Sequence, residues 1–303
     1  MGLTQSVILK ICTSLSIITS ILDVFFYWLF PQNRYFSFSN IIILAVINLL
    51  YSISTLLPFD ENSKEPENST MCQIQSFLIN LFHSAQYLQV TIMSYCIFIK
   101  IIKRNHLEKN YKIYRFIFFI LLLSFPLVFS IYLILTKSYG NSGIFCWINF
   151  MSSYRRNFLK KVILNYYITI WFLLLMNLFF VVKIKVTLKK NKIKNEIYEH
   201  LIKYPIILLI SSFPTTFNVL YRIFNKNNQN IVFAYLQIIF ESSFGMIINI
   251  IFITSPWIRQ SVFGLINSYK NKDDFNSLMP IREETKYSSS LNERETNDFD
   301  KDK

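Results

Sequence analysis

Seven apolar stretches run through this 303-residue chain and constrain its fold more than any other feature. A bilayer core is about 30 Å thick, and a helix rising about 1.5 Å per residue needs about 20 apolar residues to cross it. The stretches fall at about 7–30, 38–58, 73–101, 114–136, 162–186, 202–224 and 231–255. No interval between them is long enough to hold a folded domain. Composition agrees: 52% of residues are hydrophobic and only 16% are charged, against about a quarter charged in soluble domains. Thirty Phe and eighteen Tyr are too many for one aqueous core of this length. A soluble α/β enzyme, a disordered chain and a disulfide-stapled secreted domain are therefore poor fits. The expected fold class is an all-α membrane protein, a seven-transmembrane helix bundle with a short amphipathic eighth helix. The weaker third and fifth spans contain Asn, Gln, Ser and Tyr, residues that suit the inside of a bundle.

The first span lacks a positive n-region, and its apolar run is longer than that of a cleaved signal peptide. About six residues precede it, so ligand recognition is expected within the bundle itself. The formal net charge is +13, yet half of the acids lie in the last 35 residues. The basic residues of the body form short clusters between apolar runs, a pattern that fits a lipid surface better than nucleic acid. Lys and Arg are denser in the loops after spans 1, 3 and 5 and at the base of the tail. The positive-inside rule then puts the N-terminus outside and the C-terminus in the cytoplasm, most simply across the plasma membrane. Residues 256–268 carry an apolar face at near-helical period after Pro256, which reads as a helix lying on the inner leaflet. Residues 269–303 are polar and mixed in charge and read as a disordered cytoplasmic tail.

With this orientation Cys72, which opens span 3, and Cys146, between spans 4 and 5, both face the oxidising side, and a disulfide between them is expected. It would pin the loop over the mouth of the bundle. Asn68-Ser69-Thr70 forms a glycosylation acceptor triplet on the same side.

Seven spans, the short outer N-terminus, the cysteine pair and the inner amphipathic helix together resemble a G-protein-coupled receptor. The local motifs differ from the rhodopsin-like class. Span 3 ends Phe98-Ile99-Lys100-Ile101-Ile102-Lys103 without Asp-Arg-Tyr, and span 7 contains Asn249-Ile250-Ile251-Phe252-Ile253 without Asn-Pro-x-x-Tyr. Cys146-Trp147-Ile148 in the outer loop, Tyr204-Pro205-Ile206-Ile207-Leu208 and Pro214-Thr215-Thr216-Phe217-Asn218 in span 6, and Ser14-Leu15-Ser16-Ile17-Ile18 in span 1 are similar to the slime-mould cyclic-AMP receptors and their relatives, which are akin to the secretin and adhesion receptors. The resemblance covers about residues 7–268. Tyr87-Leu88-Gln89 stands where the closest members would carry Leu-Trp, which leaves the ligand open.

Several residues are candidates for the mechanism. Pro214 near mid-membrane removes a backbone donor and kinks span 6, and Pro205 marks a second weak point near its inner end. In the resembled receptors the inner end of that helix swings outward to open a G-protein site. The alternative is a static kink of the sort common in membrane helices. Asn218 and Arg222 share a helix face rising to the outer mouth. Asn80, His83, Ser84 and Tyr87 form a polar stripe on span 3. Glu241 near the middle of span 7 and Asp23 in span 1 are ionisable groups at membrane depth and thus functional candidates; the plainer alternative is that such groups satisfy one another. The outer mouth gathers Arg155, Arg156, Lys160, Lys161, Arg222 and Lys226. Guanidinium groups there would suit an anionic ligand such as a cyclic nucleotide, or simply meet lipid headgroups.

On the inner side, Lys103 and Arg104 form one basic group, and Lys189, Lys190 and Lys192 extend span 5 as another, facing a heterotrimeric G protein or anionic lipid. Ser288, Ser289 and Ser290 are phosphorylation candidates in the tail. No cofactor or metal is implied: the chain has no HExxH, no Gly-rich phosphate loop and no metal-spaced Cys/His cluster, and span 7 has no Lys for a retinal Schiff base. The expected function is that of a non-enzymatic receptor for a small extracellular ligand, in contact with the lipid bilayer and not with nucleic acid. The alternative is a seven-span transporter or channel, for which Pro31-Gln32 is the main hint and a three-span repeat is lacking.

Overall fold

The computed structural model describes residues 2–30, 36–58, 70–102, 111–136, 138–141, 146–148, 156–190, 200–224 and 231–270. Seven long helices stand among them: α1 Gly2–Leu29, α2 Phe36–Leu56, α3 Thr70–Ile102, α4 Tyr111–Leu135, α5 Arg156–Lys190, α6 Lys203–Phe224 and α7 Ile231–Ile253. Two short strands, β1 Tyr139–Asn141 and β2 Cys146–Ile148, lie between α4 and α5. They pair antiparallel, with Gly140 opposite Trp147. This hairpin carries too few residues to show a strand period in sequence and was not expected.

Six of the helices are long and apolar enough to cross a membrane. α3 is not among these six, because its polar side chains dilute it. It is nevertheless the helix that most others touch, packing against α2, α4, α5, α6 and both strands. α1 packs on α2 and α7, and α6 on α5 and α7. The polar residues of α3 face these neighbours: Gln75, Asn80, His83, Gln86, Gln89 and Ser94 are all buried. The outward faces are aliphatic and aromatic, with Trp28, Phe116, Val128 and Leu135 among the most exposed side chains. Such a surface suits lipid and not water.

Polar pairs bind the helices where hydrophobic attraction would give no direction. Gln86 Nε2 donates to Asn48 Oδ1 at 2.7 Å, joining α3 to α2. Asn177 Oδ1 accepts from Ser94 at 2.7 Å, and Asn177 Nδ2 donates to Thr91 at 2.7 Å, joining α5 to α3. Pro126 lies inside α4 and Pro214 inside α6. Pro205 stands in the first turn of α6, where its missing N–H would be unpaired in any case, so the interior of that helix is interrupted by Pro214.

Residues from Trp257 onward form a separate unit. It contains most of helix α8, Pro256–Lys270, which begins on a proline suited to a helix's first position. The tail expected at 269–303 lies outside the described residues beyond Lys270.

Candidate functional site

The β hairpin closes one end of the bundle, and the chain holds it there twice. A disulfide joins Cys72, near the start of α3, to Cys146 at the start of β2. One turn along α3, Gln75 Oε1 accepts the Cys146 amide at 3.0 Å while its Nε2 donates to the Leu57 carbonyl at 2.9 Å. All three residues of β2 are buried. Trp147 points inward and meets the His83 ring edge-on, with centroids 5.4 Å apart.

Beneath Trp147 lies a buried polar cluster that centres on Glu241. This carboxyl is only 9% exposed. A carboxylate only accepts hydrogen bonds, and here the donors come from different helices. Tyr51 of α2 donates to Oε1 at 3.1 Å, and Gln237 of α7 donates to Oε2 at 3.1 Å. His83 of α3 brings Nε2 to 3.3 Å from Oε1, and Thr215 of α6 adds a further bond. One side chain therefore ties α2, α3, α6 and α7. On its far side, His83 Nδ1 is 2.8 Å from the Tyr166 hydroxyl of α5. With Nε2–H directed at Glu241, Nδ1 accepts the Tyr166 proton, so a single neutral tautomer satisfies both contacts.

Around this chain, Tyr87 bonds Ser212 of α6 at 2.9 Å and packs against the His83 ring at 4.9 Å. Asn218 Nδ2 donates to Gln237 Oε1, which extends the network along α6 and α7 toward the hairpin end. Behind Tyr166, a pocket between α3, α4 and α5 is lined by Ser84, Tyr87, Phe129, Tyr166, Thr169 and Leu173, among others.

The structure thus brings together His83, Tyr87, Glu241 and, through Gln237, Asn218. Ser84 reaches the same cluster weakly, at 3.4 Å from the Tyr166 hydroxyl. Asn80 goes elsewhere and donates to Ser130 of α4 at 2.9 Å. Tyr51, Tyr166, Ser212 and Gln237 join the site without having been singled out in sequence, and Trp147 and Thr215 join it from motifs that carried the family resemblance but no site role. Gln237 had a usable signal, since it lies four residues before Glu241 and shares its helix face. Single tyrosines inside apolar spans have none. Lys189 and Lys190 end α5 as exposed side chains at the end away from the hairpin. Asn68, Lys103, Arg104, Arg155, Lys192, Ser288, Ser289 and Ser290 lie outside the described residues, as do the side chains of Arg156 and Arg222. Among the described residues no three His, Cys, Asp or Glu side chains gather as a metal site.

No family model matches the sequence. Latrophilin receptor-like protein A of Dictyostelium discoideum is 29% identical over 143 residues, which is 47% of this chain and 44% of that protein. The matched region spans less than half the length of that relative. In fold, squid rhodopsin superposes with a TM-score of 0.69, covering 86% of this chain and 79% of that one at 14% identity. The architecture is accordingly the seven-helix bundle seen in rhodopsin, and a chain of this fold with these apolar helices is a multi-pass membrane protein.

Proposed function

We propose that this chain, a slime-mould G-protein-coupled-receptor-like protein by its rhodopsin-type fold and its receptor-like relative, senses a small extracellular ligand and signals to a cytoplasmic heterotrimeric G protein. One observation supports this reading above the others. The Glu241 network joins four helices directly beneath a hairpin that is fastened to α3. A molecule entering there would displace or add to bonds on α6, which is interrupted at Pro214 in its interior. Binding shifts a conformational equilibrium only by its preference for one state, and a network shared between helices is where such a preference can act.

In this reading the hairpin end is extracellular and the Lys189–Lys190 end is cytoplasmic, within the plasma membrane. An anionic ligand, such as a cyclic nucleotide, would be drawn by Arg155, Arg156 and Arg222. Lys103, Arg104, Lys189, Lys190 and Lys192 would face the G protein. Pro205 and Pro214 bracket the moving half of α6. Asn68 would carry glycan, and Ser288, Ser289 and Ser290 would take phosphate. The protein performs no chemistry of its own.

Guanine-nucleotide exchange on a co-reconstituted G protein, with and without cyclic AMP, tests the proposal in wild type and Arg222→Ala. Exchange that depends on cyclic AMP and is lost in the variant is the expected result. Exchange that no cyclic nucleotide changes would remove that ligand class. Solute flux without any exchange would overturn the receptor reading in favour of a transporter.

A further inference from the structure

The end of the bundle away from the hairpin holds a second buried polar group that the ligand network does not use. Along α1, Thr13, Ser16, Ser20 and Asp23 recur at helical spacing and are all buried. They face the seam with α2 and α7. Ser16 meets Ser52 of α2 at 3.2 Å. Asn249 of α7 donates to Ser20 Oγ at 2.7 Å and to Thr19 Oγ1 at 3.1 Å. Asp23 stands three residues beyond Ser20 on the same face. It is completely buried, and neither carboxyl oxygen has a hydrogen-bond partner. The hydroxyl of Tyr204, in the first turn of α6, is also buried without a partner and lies within the electrostatic reach of Asp23.

Elementary electrostatics decides what Asp23 carries. An ionised carboxylate taken from water without donors costs several kcal/mol, whereas a neutral acid costs only as much as a small polar group. No Lys or Arg among the described residues forms an ion pair with it. Tyr204 of α6 is the titratable group within its electrostatic reach, with Lys203 next in sequence and His200 one turn before. The seam side chains of α2 and α7 named here, Ser52 and Asn249, do not titrate. On α1 itself, Tyr27 lies one turn further on and Lys10 is exposed.

The α6 base, whose Tyr204 hydroxyl lies within electrostatic reach of Asp23, is fastened at one further point. His200 Nε2 bonds the Ile251 carbonyl of α7 at 2.8 Å, and the His200 ring meets that of Tyr204 edge-on. We propose that Asp23 is a proton-binding site whose occupancy is coupled to the position of the α6 base. While the α6 base is seated, Asp23 stays buried and keeps its proton. When the α6 base moves away, water reaches the carboxyl, the O–H bond breaks, and the proton leaves to bulk solvent with no change of redox state. Linkage makes the coupling reciprocal: conditions that remove the proton favour the displaced helix.

The test needs neither ligand nor G protein, so its result is separate from that of the receptor reading. Infrared difference spectra of the full chain in lipid nanodiscs follow the protonated-carboxyl C=O band from about pH 3 to about pH 10, a range that includes ordinary carboxyl ionisation at about pH 4. Spin labels at Leu29→Cys and Lys203→Cys, with Cys12 and Cys96 changed to Ser, report the distance between the ends of α1 and α6 over the same range. The expected result is a band present at neutral pH, absent in Asp23→Asn and shifted in Asp23→Glu, and a distance that lengthens with alkalinity in wild type alone. Lack of a band assignable to Asp23 at neutral pH overturns the proposal. So does a pH-dependent distance that persists unchanged in Asp23→Asn. Should Asp23→Asn not fold, the shift or constancy of the band in Asp23→Glu decides the question by itself.

Discussion

Gly245 of α7 faces Ser16 of α1 with no room between them: a Cβ on Gly245 would collide with Ser16 Oγ, while its next neighbours, atoms of Asn48, would sit at ordinary contact. The glycine therefore sets how closely α1 and α7 approach, as small residues do in membrane bundles. Ser16 cannot turn away freely, because its hydroxyl bonds Ser52. Gly245→Ala is expected to destabilise the protein by about 1–3 kcal/mol, the range for overpacking. Ser16→Ala removes the colliding oxygen, so the double variant should recover much of the loss. Thermal unfolding of the two single variants and the double, in one detergent, gives the coupling. Additive losses would show that the contact does not govern the approach.

Glu241 is the acceptor on which Tyr51, His83, Gln237 and Thr215 converge. Glu241→Ala leaves those donors buried and unmatched, and each such group costs about 1–3 kcal/mol. A loss of about 3 kcal/mol or more is expected. Glu241→Gln keeps one acceptor and turns the other toward donors, so it should fall between Ala and wild type. Equal melting temperatures for Ala and wild type would show that the network contributes nothing to stability.

The disulfide from Cys72 to Cys146 closes a separation of 74 residues. Chain-entropy arguments assign such a loop up to about 4.5 kcal/mol, and less where the unfolded chain stays inserted in lipid. Cys146→Ser should lower the melting temperature and free the hairpin. Faster proteolysis between α4 and α5 is the matching local readout. Unchanged cleavage would mean that Gln75 alone holds the hairpin.

His200 lies at the base of α6, where burial and nearby Lys203 push its pKa below the ordinary value of about 6.5, against the opposing bond to Ile251. The unfolded chain therefore binds this proton at a higher pH than the folded one. Stability is full above about pH 6.5 and falls as pH drops through and below that value. Melting temperature measured against pH should show this decline in wild type, and less of it in His200→Gln, whose amide can still donate to the carbonyl. Parallel curves would exclude His200 as the source.

Much of the bundle was legible because lipid imposes a length and a composition on every spanning helix. Spans read at 38–58 and 202–224 correspond to helices at Phe36–Leu56 and Lys203–Phe224. The ends were less legible: α5 begins at Arg156 and runs to Lys190, beyond both limits of the apolar run, because a helix continues into polar sequence where hydropathy stops. The stripe of His83, Ser84 and Tyr87 could be seen as a face of α3, since helical spacing is a local property. Its partners could not. Tyr51 is separated by 190 residues from Glu241 and Tyr166 by 83 from His83. Only packing brings them together, and a tyrosine in an apolar span looks the same whether it faces lipid or a carboxylate. Asn80 shared the stripe yet turned to Ser130 of α4, because one helix surface is divided among several neighbours.

The polarity of α3 also bears on how the protein is made. The helix at the centre of the bundle is the one of the seven least suited to leave a translocon on its own, for its buried amides and His83 weigh against transfer into lipid. Gln86 and Gln89 find their partners on α2, at Asn48 and Asn40, which is synthesised first. Ser94, Asn80 and His83 must wait for α4, α5 and α7. Insertion of α3 is therefore expected to depend on its neighbours, and a substitution in a distant helix should be able to impair insertion of the third.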